Sequence, residues 1–148
     1  VSVFLLVGIV YSMIRYAQFV AVEQEGLRAA ERAYKAAYES GGTRPSARWQ
    51  QALGRVSTDN PDDWRLAVME ADIMLDELLN TLGYTGETMA DKLKTARPES
   101  FRSIEDAWEA HKVRNAVAHQ GPDFALTKRV AQDAIARFGR VFEEFQFV

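Results

Sequence analysis

The sequence contains no cysteine, and this absence excludes several kinds of functional site. Disulfide bonds, thiolate metal centres and cysteine nucleophiles are all ruled out. The chain also has no zinc-ligand spacing, no glycine-rich phosphate loop and no internal repeat. Segments with the two-residue period of a β-strand are missing as well, so the pattern predicts an all-α fold. We expect neither a metal nor an organic cofactor.

A strong net charge is also missing. The net charge is −3 over 148 residues, so no overall basic field attracts nucleic acid. Apolar residues make up 47% of the chain and charged residues 26%, which is typical of a folded domain. Residues 62–109 carry twelve acidic and five basic side chains, whereas residues 111–148 carry six basic and four acidic ones. An RNA would therefore meet only a weak basic patch, which predicts weak binding or short substrates.

The first residues are the most apolar part of the chain. No charged residue occurs before Arg15, and a helix that spans a bilayer needs about 20 residues. An apolar run over residues 1–22, or one extended upstream, would be long enough, and we predict that it anchors the protein in a membrane. The alternative is a buried helix of a core or an oligomer. Because the chain does not begin with methionine, we expect it to start partway through a longer protein.

Three basic residues after the apolar run indicate its orientation: Arg28, Arg32 and Lys35. Cytoplasmic segments next to a membrane carry an excess of lysine and arginine, whereas acidic residues count little in this rule. The soluble part of the protein is therefore expected in the cytoplasm.

A seam of small residues lies in the helical stalk that completes segment 1–40. Its members are Gly26, Ala30, Ala33 and Ala37. Such seams allow helices to approach closely, so the stalk is predicted to form a homo-oligomer. The alternative is a helix rich in alanine for its helix propensity alone. Residues 41–60 are predicted to be a linker with a short helix from Ala47 to about Val56, capped by Ser46. Trp49 and Leu53 would share one face of that helix.

Residues 61–148 are predicted to form a helical bundle. Three residues can cap the helices that follow them, namely Asn60, Ser103 and Thr127, and a shorter helix is predicted from Thr88 to Ala96. The first of these helices has a core stripe at helical spacing: Ala67, Ala71, Met74, Leu75, Leu78 and Leu82. Its other side carries four acidic residues: Glu70, Asp72, Asp76 and Glu77. We interpret these as a solvated acidic face. A divalent cation between Asp72 and Asp76 is the alternative, but no second carboxylate pair supports it.

Residues 104–120 are predicted to form a helix that carries the candidate site. Ser103 can cap its N-terminus, and Gly121 with Pro122 can end it. Its last turns contain three polar residues: Arg114, Asn115 and His119. The arginine and the histidine are about 140° apart on an ideal helix. They come together only if the helix frays or turns at its C-terminus.

The chemistry of these three side chains suits cleavage of RNA without a metal. Arg114 is a permanent cation whose planar fork fits a phosphate. His119 can take or give a proton near neutral pH, and Asn115 can orient the imidazole or bond a ribose hydroxyl. The alternative is structural, since an arginine near a helix C-terminus complements the dipole and a histidine there can cap carbonyls. Arg114 could equally pair with a carboxylate of the helix over residues 62–82.

Arg114 and Asn115, followed after three further residues by His119, form an R-x4-H element. This element resembles the signature of the HEPN superfamily, and the resemblance covers about residues 60–146. It implies a four-helix up-down bundle, preceded here by the long N-terminal helix, with metal-independent endoribonuclease activity that leaves a cyclic phosphate. Arg114 and His119 would be catalytic and Asn115 would orient, in a composite site formed by two subunits. A toxin or defence role, with an antitoxin or other partner protein, is also implied.

Two neighbouring residues are further candidates for binding RNA. Lys112 offers a cation. His111 lies one turn before Asn115, and we expect it at the surface or in a supporting role. Some HEPN domains do not cleave RNA, so a second function stays open. The chain would then be a membrane-tethered binding or structural assembly module.

Overall fold

The computed structural model describes residues 44–120 and 124–148. This part of the chain forms five helices without a strand: α1 (Pro45–Ser57), α2 (Pro61–Thr81), α3 (Met89–Thr95), α4 (Ile104–Gln120) and α5 (Lys128–Glu144). The all-α prediction is confirmed for these residues. None of the five helices is both long and apolar enough to cross a bilayer. The predicted anchor, stalk and small-residue seam of segment 1–40 lie outside the described residues.

Capping side chains determine where three of the helices begin. The Asn60 side chain accepts a hydrogen bond from the backbone N–H of Asp62 at 3.1 Å. Thr88 caps α3 in a reciprocal arrangement with Asp91, and Thr127 caps α5. Each contact satisfies a backbone N–H that lacks a partner within its own helix. The predicted caps Asn60 and Thr127 are confirmed, whereas Thr88, expected inside its helix, is instead the cap before it.

The core lies between α2 and the other long helices. Its largest fully buried side chains include Met74, Leu75 and Leu79 of α2, and Phe138 and Phe142 of α5. The predicted apolar stripe of α2 is buried along its length, with one exception. Leu82 is 39% exposed because it lies just beyond the end of the helix.

Helix α1 is part of this core, although the sequence suggested a linker segment. The Trp49 ring meets the edge of Phe142 at a centroid distance of 5.1 Å and an interplanar angle of 89°. Ala52 and Val56 are buried on the same face of α1. Leu53 does not share that face and is 36% exposed. The helix starts at Pro45, two residues before the predicted start, because proline suits the first helical turn. Ser46 therefore lies within the helix, and the prediction that it caps α1 is wrong.

Ion pairs establish that neighbouring helices run antiparallel. Between α1 and α2, Arg48 contacts Glu77 at 2.7 Å and Arg55 contacts Glu70 at 2.7 Å. The residue numbers rise on one helix as they fall on the other. The same relationship holds between α4 and α5. Asp106 forms an ion pair with Arg140 at 2.7 Å, and Ser103, just before α4, donates a hydrogen bond to Glu144 at the end of α5.

Candidate functional site

Helix α4 carries the predicted site, and its first turn is fixed by α5. Asp106 accepts hydrogen bonds from Arg140 and Arg137. The hydrogen bond from Arg140 is the largest influence on the pKa of Asp106 and holds it below the usual range, although burial opposes this. An ionised aspartate in the first turn also complements the helix dipole. The position of the motif residues therefore depends on a firmly held helix.

Arg114 is bound within its own bundle. Its Nε lies 3.3 Å from Oδ2 of Asp72 on α2, and its Nη1 donates to Oδ1 of Asn115 at 3.3 Å. Its side chain is 17% exposed. The structural alternative for Arg114, an ion pair with a carboxylate of the neighbouring helix, is thus present in the fold. The guanidinium has a defined orientation, but Asp72 offsets part of its charge.

His111 occupies a more central place than the sequence suggested. The residue is 7% exposed, which excludes the first of the two places expected for it, the surface, and leaves the second, a supporting role. Its Nδ1 lies 2.8 Å from Oδ1 of Asp72, and its Nε2 lies 3.0 Å from Nδ2 of Asn115. Ala107 and Ala110 beside it on α4 are fully buried. Their small side chains let α4 approach α2 closely enough for the imidazole to reach Asp72.

These side chains line a cleft of about 750 Å³ between α2, α3 and α4. Its walls include both acidic and basic residues, namely Asp72, Asp76, Glu77, Glu87, Lys92 and Arg114. His111 and Asn115 lie on the same wall as Arg114. The cleft is therefore polar and mixed in charge, rather than a basic groove suited to a nucleic-acid backbone.

The four acidic residues of α2 do not form a solvated face, and that interpretation is wrong. Glu70 is 3% and Asp72 4% exposed. Asp76 contacts Lys92 of α3 at 2.6 Å, while Glu70 and Glu77 contact arginines of α1. Buried carboxylates are retained when a cation and hydrogen bonds compensate for lost hydration. Helix α2 thus lies among basic side chains from three other helices.

The remaining predicted residues lie apart from this network. Lys112 is exposed and pairs with Glu109 of the same helix at 2.6 Å. His119 is exposed and is not among the residues that line the cleft. Helix α4 continues through His119 to Gln120, so the expected fraying that would bring His119 towards Arg114 is not observed. The structure brings His111, and not His119, to Arg114 and Asn115.

Asp72 is the residue of this network that the sequence interpretation missed as a partner. A signal for it exists in the sequence. Asp72 lies four residues after Val68 and three before Leu75, both of which are fully buried. An acidic residue within an apolar helical stripe indicates a buried carboxylate with a basic partner.

Among residues 44–120 and 124–148, no group of three or more histidine, aspartate or glutamate side chains is arranged to hold a metal ion. The cleft walls nevertheless carry carboxylates and an ammonium group as well as a guanidinium, an amide and an imidazole. Comparison of the chain with protein-family models, with curated proteins and with solved structures gives no match.

Proposed function

We propose that this chain is a metal-independent endoribonuclease of the HEPN type. Arg114 stabilises charge on the phosphodiester, Asn115 orients the reacting groups, and His119 transfers the proton. In such a reaction a base removes the proton of the ribose 2′-hydroxyl, whose oxygen attacks phosphorus. The bond to the 5′-oxygen breaks and that oxygen receives the proton that the base removed, leaving a 2′,3′-cyclic phosphate and a 5′-hydroxyl. The sequence element that carries this proposal lies in the last turns of a long helix in an all-α bundle.

The observation that best supports the proposal is the fixed orientation of Arg114. Its guanidinium contacts both Asp72 and Asn115 at the edge of an open cleft. A cation held in place before the reaction stabilises developing charge without reorganising. Only part of its side chain is exposed, so a substrate would reach one side of the guanidinium.

The separation of Arg114 and His119 supports a site shared by two copies of the chain. Both residues lie within regular helix, and His119 lies away from the cleft that Arg114 lines. On a regular helix the two side chains point about 140° apart, so we do not expect one chain to place both on the same phosphate. Across a two-fold axis, the arginine of one copy can meet the histidine of the other.

A second candidate function is favoured by the ion pair between Arg114 and Asp72. The Arg114 guanidinium contacts the carboxylate of Asp72, a residue that is 4% exposed, and so helps to hold α4 on α2. The chain would then be a non-catalytic, HEPN-like module for binding or structural assembly.

In either case we propose that residues 1–22 anchor it in a membrane with the bundle in the cytoplasm. The seam of Gly26, Ala30, Ala33 and Ala37 would support self-association, and an antitoxin or other partner protein could bind the bundle.

The first experiment measures cleavage of structured RNA by the full chain in detergent and EDTA. We expect 2′,3′-cyclic phosphate ends from the wild type, and loss of activity in Arg114→Ala and His119→Ala. Lys94→Ala is the matched control, because Lys94 is an exposed cation of α3 that pairs with Asp91 and does not line the cleft. An inactive wild type, or equal cleavage by wild type and His119→Ala, contradicts the endoribonuclease proposal and leaves the second candidate.

A mixing experiment tests the shared site. Heterodimers of Arg114→Ala and His119→Ala contain one intact Arg–His pair if the two residues come from different chains. Mixing two inactive variants should then restore about a quarter of wild-type activity, since about half of the dimers are mixed and each has one active site. No recovery in subunits shown to exchange would exclude a composite site.

A further inference from the structure

Four side chains form a closed ring of polar contacts across α2 and α4. Asp72 contacts Nδ1 of His111 at 2.8 Å, and His111 Nε2 lies 3.0 Å from the amide nitrogen of Asn115. Asn115 Oδ1 accepts from Arg114 at 3.3 Å, and Arg114 Nε returns to Asp72 at 3.3 Å. Asp72 uses one carboxylate oxygen for each of its two partners.

Hydrogen-bond donation runs from Arg114 through Asn115 and His111 to Asp72. The ring is closed by the ion-pair contact between Arg114 Nε and Asp72, which lacks hydrogen-bond geometry. A guanidinium can only donate, so the Asn115 atom that faces Arg114 is the carbonyl oxygen. The amide nitrogen therefore faces His111 and donates to Nε2, which must carry a lone pair. The proton of His111 is then on Nδ1 and is donated to Asp72. Turning the amide over would place two donors against each other at Arg114.

We propose that Asp72 and His111 are positioning residues that fix Arg114 and Asn115 for their role at the phosphodiester. This inference rests on the proposed endoribonuclease function and adds two residues outside the R-x4-H element. Asp72 holds the guanidinium directly through Oδ2. Through Oδ1 it holds His111, which fixes the amide of Asn115 and so completes the support of Arg114.

The other carboxylates of α2 show why this arrangement differs from ordinary charge pairing. Asp76 contacts one lysine of α3, and Glu77 contacts one arginine of α1. Asp72 alone among these three bonds two residues of α4, one of them a neutral imidazole that compensates no charge. A buried, neutral histidine between a carboxylate and an amide adds orientation rather than charge neutralisation.

The test compares variants that keep or break the direction of the ring. His111→Gln retains one donor for Asp72 and one acceptor for Asn115, whereas His111→Leu has neither. Asp72→Asn keeps the shape but has one acceptor oxygen for two donors. Glu109→Gln is the control, because it breaks an exposed ion pair on the same helix without touching the ring.

Two readouts are measured on the full chain. Nitrogen-15 NMR should show the His111 proton on Nδ1 and slow hydrogen exchange at Arg114 Nε, with faster exchange in His111→Leu and Asp72→Asn only. RNA cleavage should lose about 10- to 100-fold in kcat with little change in KM in those two variants. His111→Gln should restore most of both signals. These results together establish positioning.

Three outcomes overturn the inference. Unchanged Arg114 exchange in folded His111→Leu and Asp72→Asn would mean that the ring does not hold the guanidinium. Faster hydrogen exchange at Arg114 Nε in these two variants, with an unchanged kcat, would mean that the ring has no role in the reaction. The endoribonuclease proposal would then still stand. An inactive wild type with the expected exchange behaviour would contradict the endoribonuclease proposal, and with it the role at the phosphodiester, and would leave the ring as a support of the bundle.

Discussion

The carboxylate of Glu144, in the last turn of α5, binds the chain at Ser103, immediately before α4. Its Oε2 accepts from the backbone N–H of Ser103 at 2.8 Å, and its Oε1 accepts from the backbone N–H of Arg102 at 2.8 Å. The Ser103 hydroxyl also donates to Oε2. Ser103, the predicted cap residue of α4, therefore donates both its backbone N–H and its hydroxyl hydrogen to a glutamate distant in sequence. The helix that carries the candidate site is thereby tied to the end of α5.

Replacing Glu144 with glutamine should destabilise the protein by about 1–2 kcal/mol at neutral pH. The amide has one acceptor oxygen and lacks the charge that favours a helix N-terminus. Burial alone would raise the pKa of Glu144, but the hydrogen bonds from Ser103 and Arg102 outweigh it and the pKa is lowered. A carboxylate whose pKa is lowered in the folded protein stabilises the fold at any pH above its pKa in the unfolded chain, which is about 4.3. This stabilisation is lost as the pH falls through the pKa of the folded state.

Urea unfolding at pH 7 and at pH 3 measures this difference. The difference in free energy of unfolding between wild type and Glu144→Gln, here called the gap, should be present at pH 7 and small at pH 3. Glu143→Gln is the matched control, because Glu143 is exposed beside it and should leave stability within about 0.5 kcal/mol. A gap that does not narrow in acid would show that the glutamate acts by packing rather than by charge.

Local signals explain why most helix boundaries could be predicted. Asn60, Thr88 and Thr127 cap the helices that follow them, and each cap involves residues within three positions in the chain. The buried stripe of α2 was predictable for the same reason, because its period is a property of one helix. Information within a few turns of the chain was sufficient for these features.

The pairing within the candidate site could not be predicted in this way. Asp72 and His111 are 39 residues apart in sequence and meet only because α4 packs against α2. The acidic residues of α2 look like a solvated face until the basic residues of the other helices are placed around them. Which histidine reaches Arg114 depends on where helix α4 faces α2, and motif spacing alone does not determine that.

Replacing Trp49 with alanine should destabilise the protein by about 2–4 kcal/mol, because α1 then loses its largest buried side chain. Leu53→Ala is the control on the same helix and should change stability by less than about 1 kcal/mol, since Leu53 is largely outside the core. Urea unfolding monitored by circular dichroism gives both values. Equal effects of the two substitutions would mean that α1 is only loosely attached and behaves as the predicted linker.

Replacing Glu77 with glutamine should destabilise the protein by about 2–4 kcal/mol, since it removes the anion beside Arg48, whose side chain is 3% exposed. Glu109→Gln removes the anion of an exposed pair with Lys112 and should cost less than about 0.5 kcal/mol. The two variants change the same chemical group, so the difference measures burial. Thermal unfolding at low and high salt compares them. If the two variants lose similar stability, and both losses disappear at high salt, the Arg48–Glu77 pair is as well solvated as the exposed Lys112–Glu109 pair.

Arg114 and His119 should respond differently to substitution, whether or not the protein cleaves RNA. Arg114→Ala leaves the buried Asp72 with His111 as its remaining partner in the ring and should lower stability by about 1–3 kcal/mol. His119→Ala changes an exposed residue of the last helical turn and should stay within about 0.5 kcal/mol. Arg114→Lys keeps a positive charge near Asp72 but lacks the planar guanidinium, so we expect an intermediate loss of stability. Thermal unfolding of the three variants tests this order. A stability of Arg114→Ala equal to that of wild type would mean that the ion pair with Asp72 contributes nothing to the bundle, and the non-catalytic candidate would lose the observation that favours it.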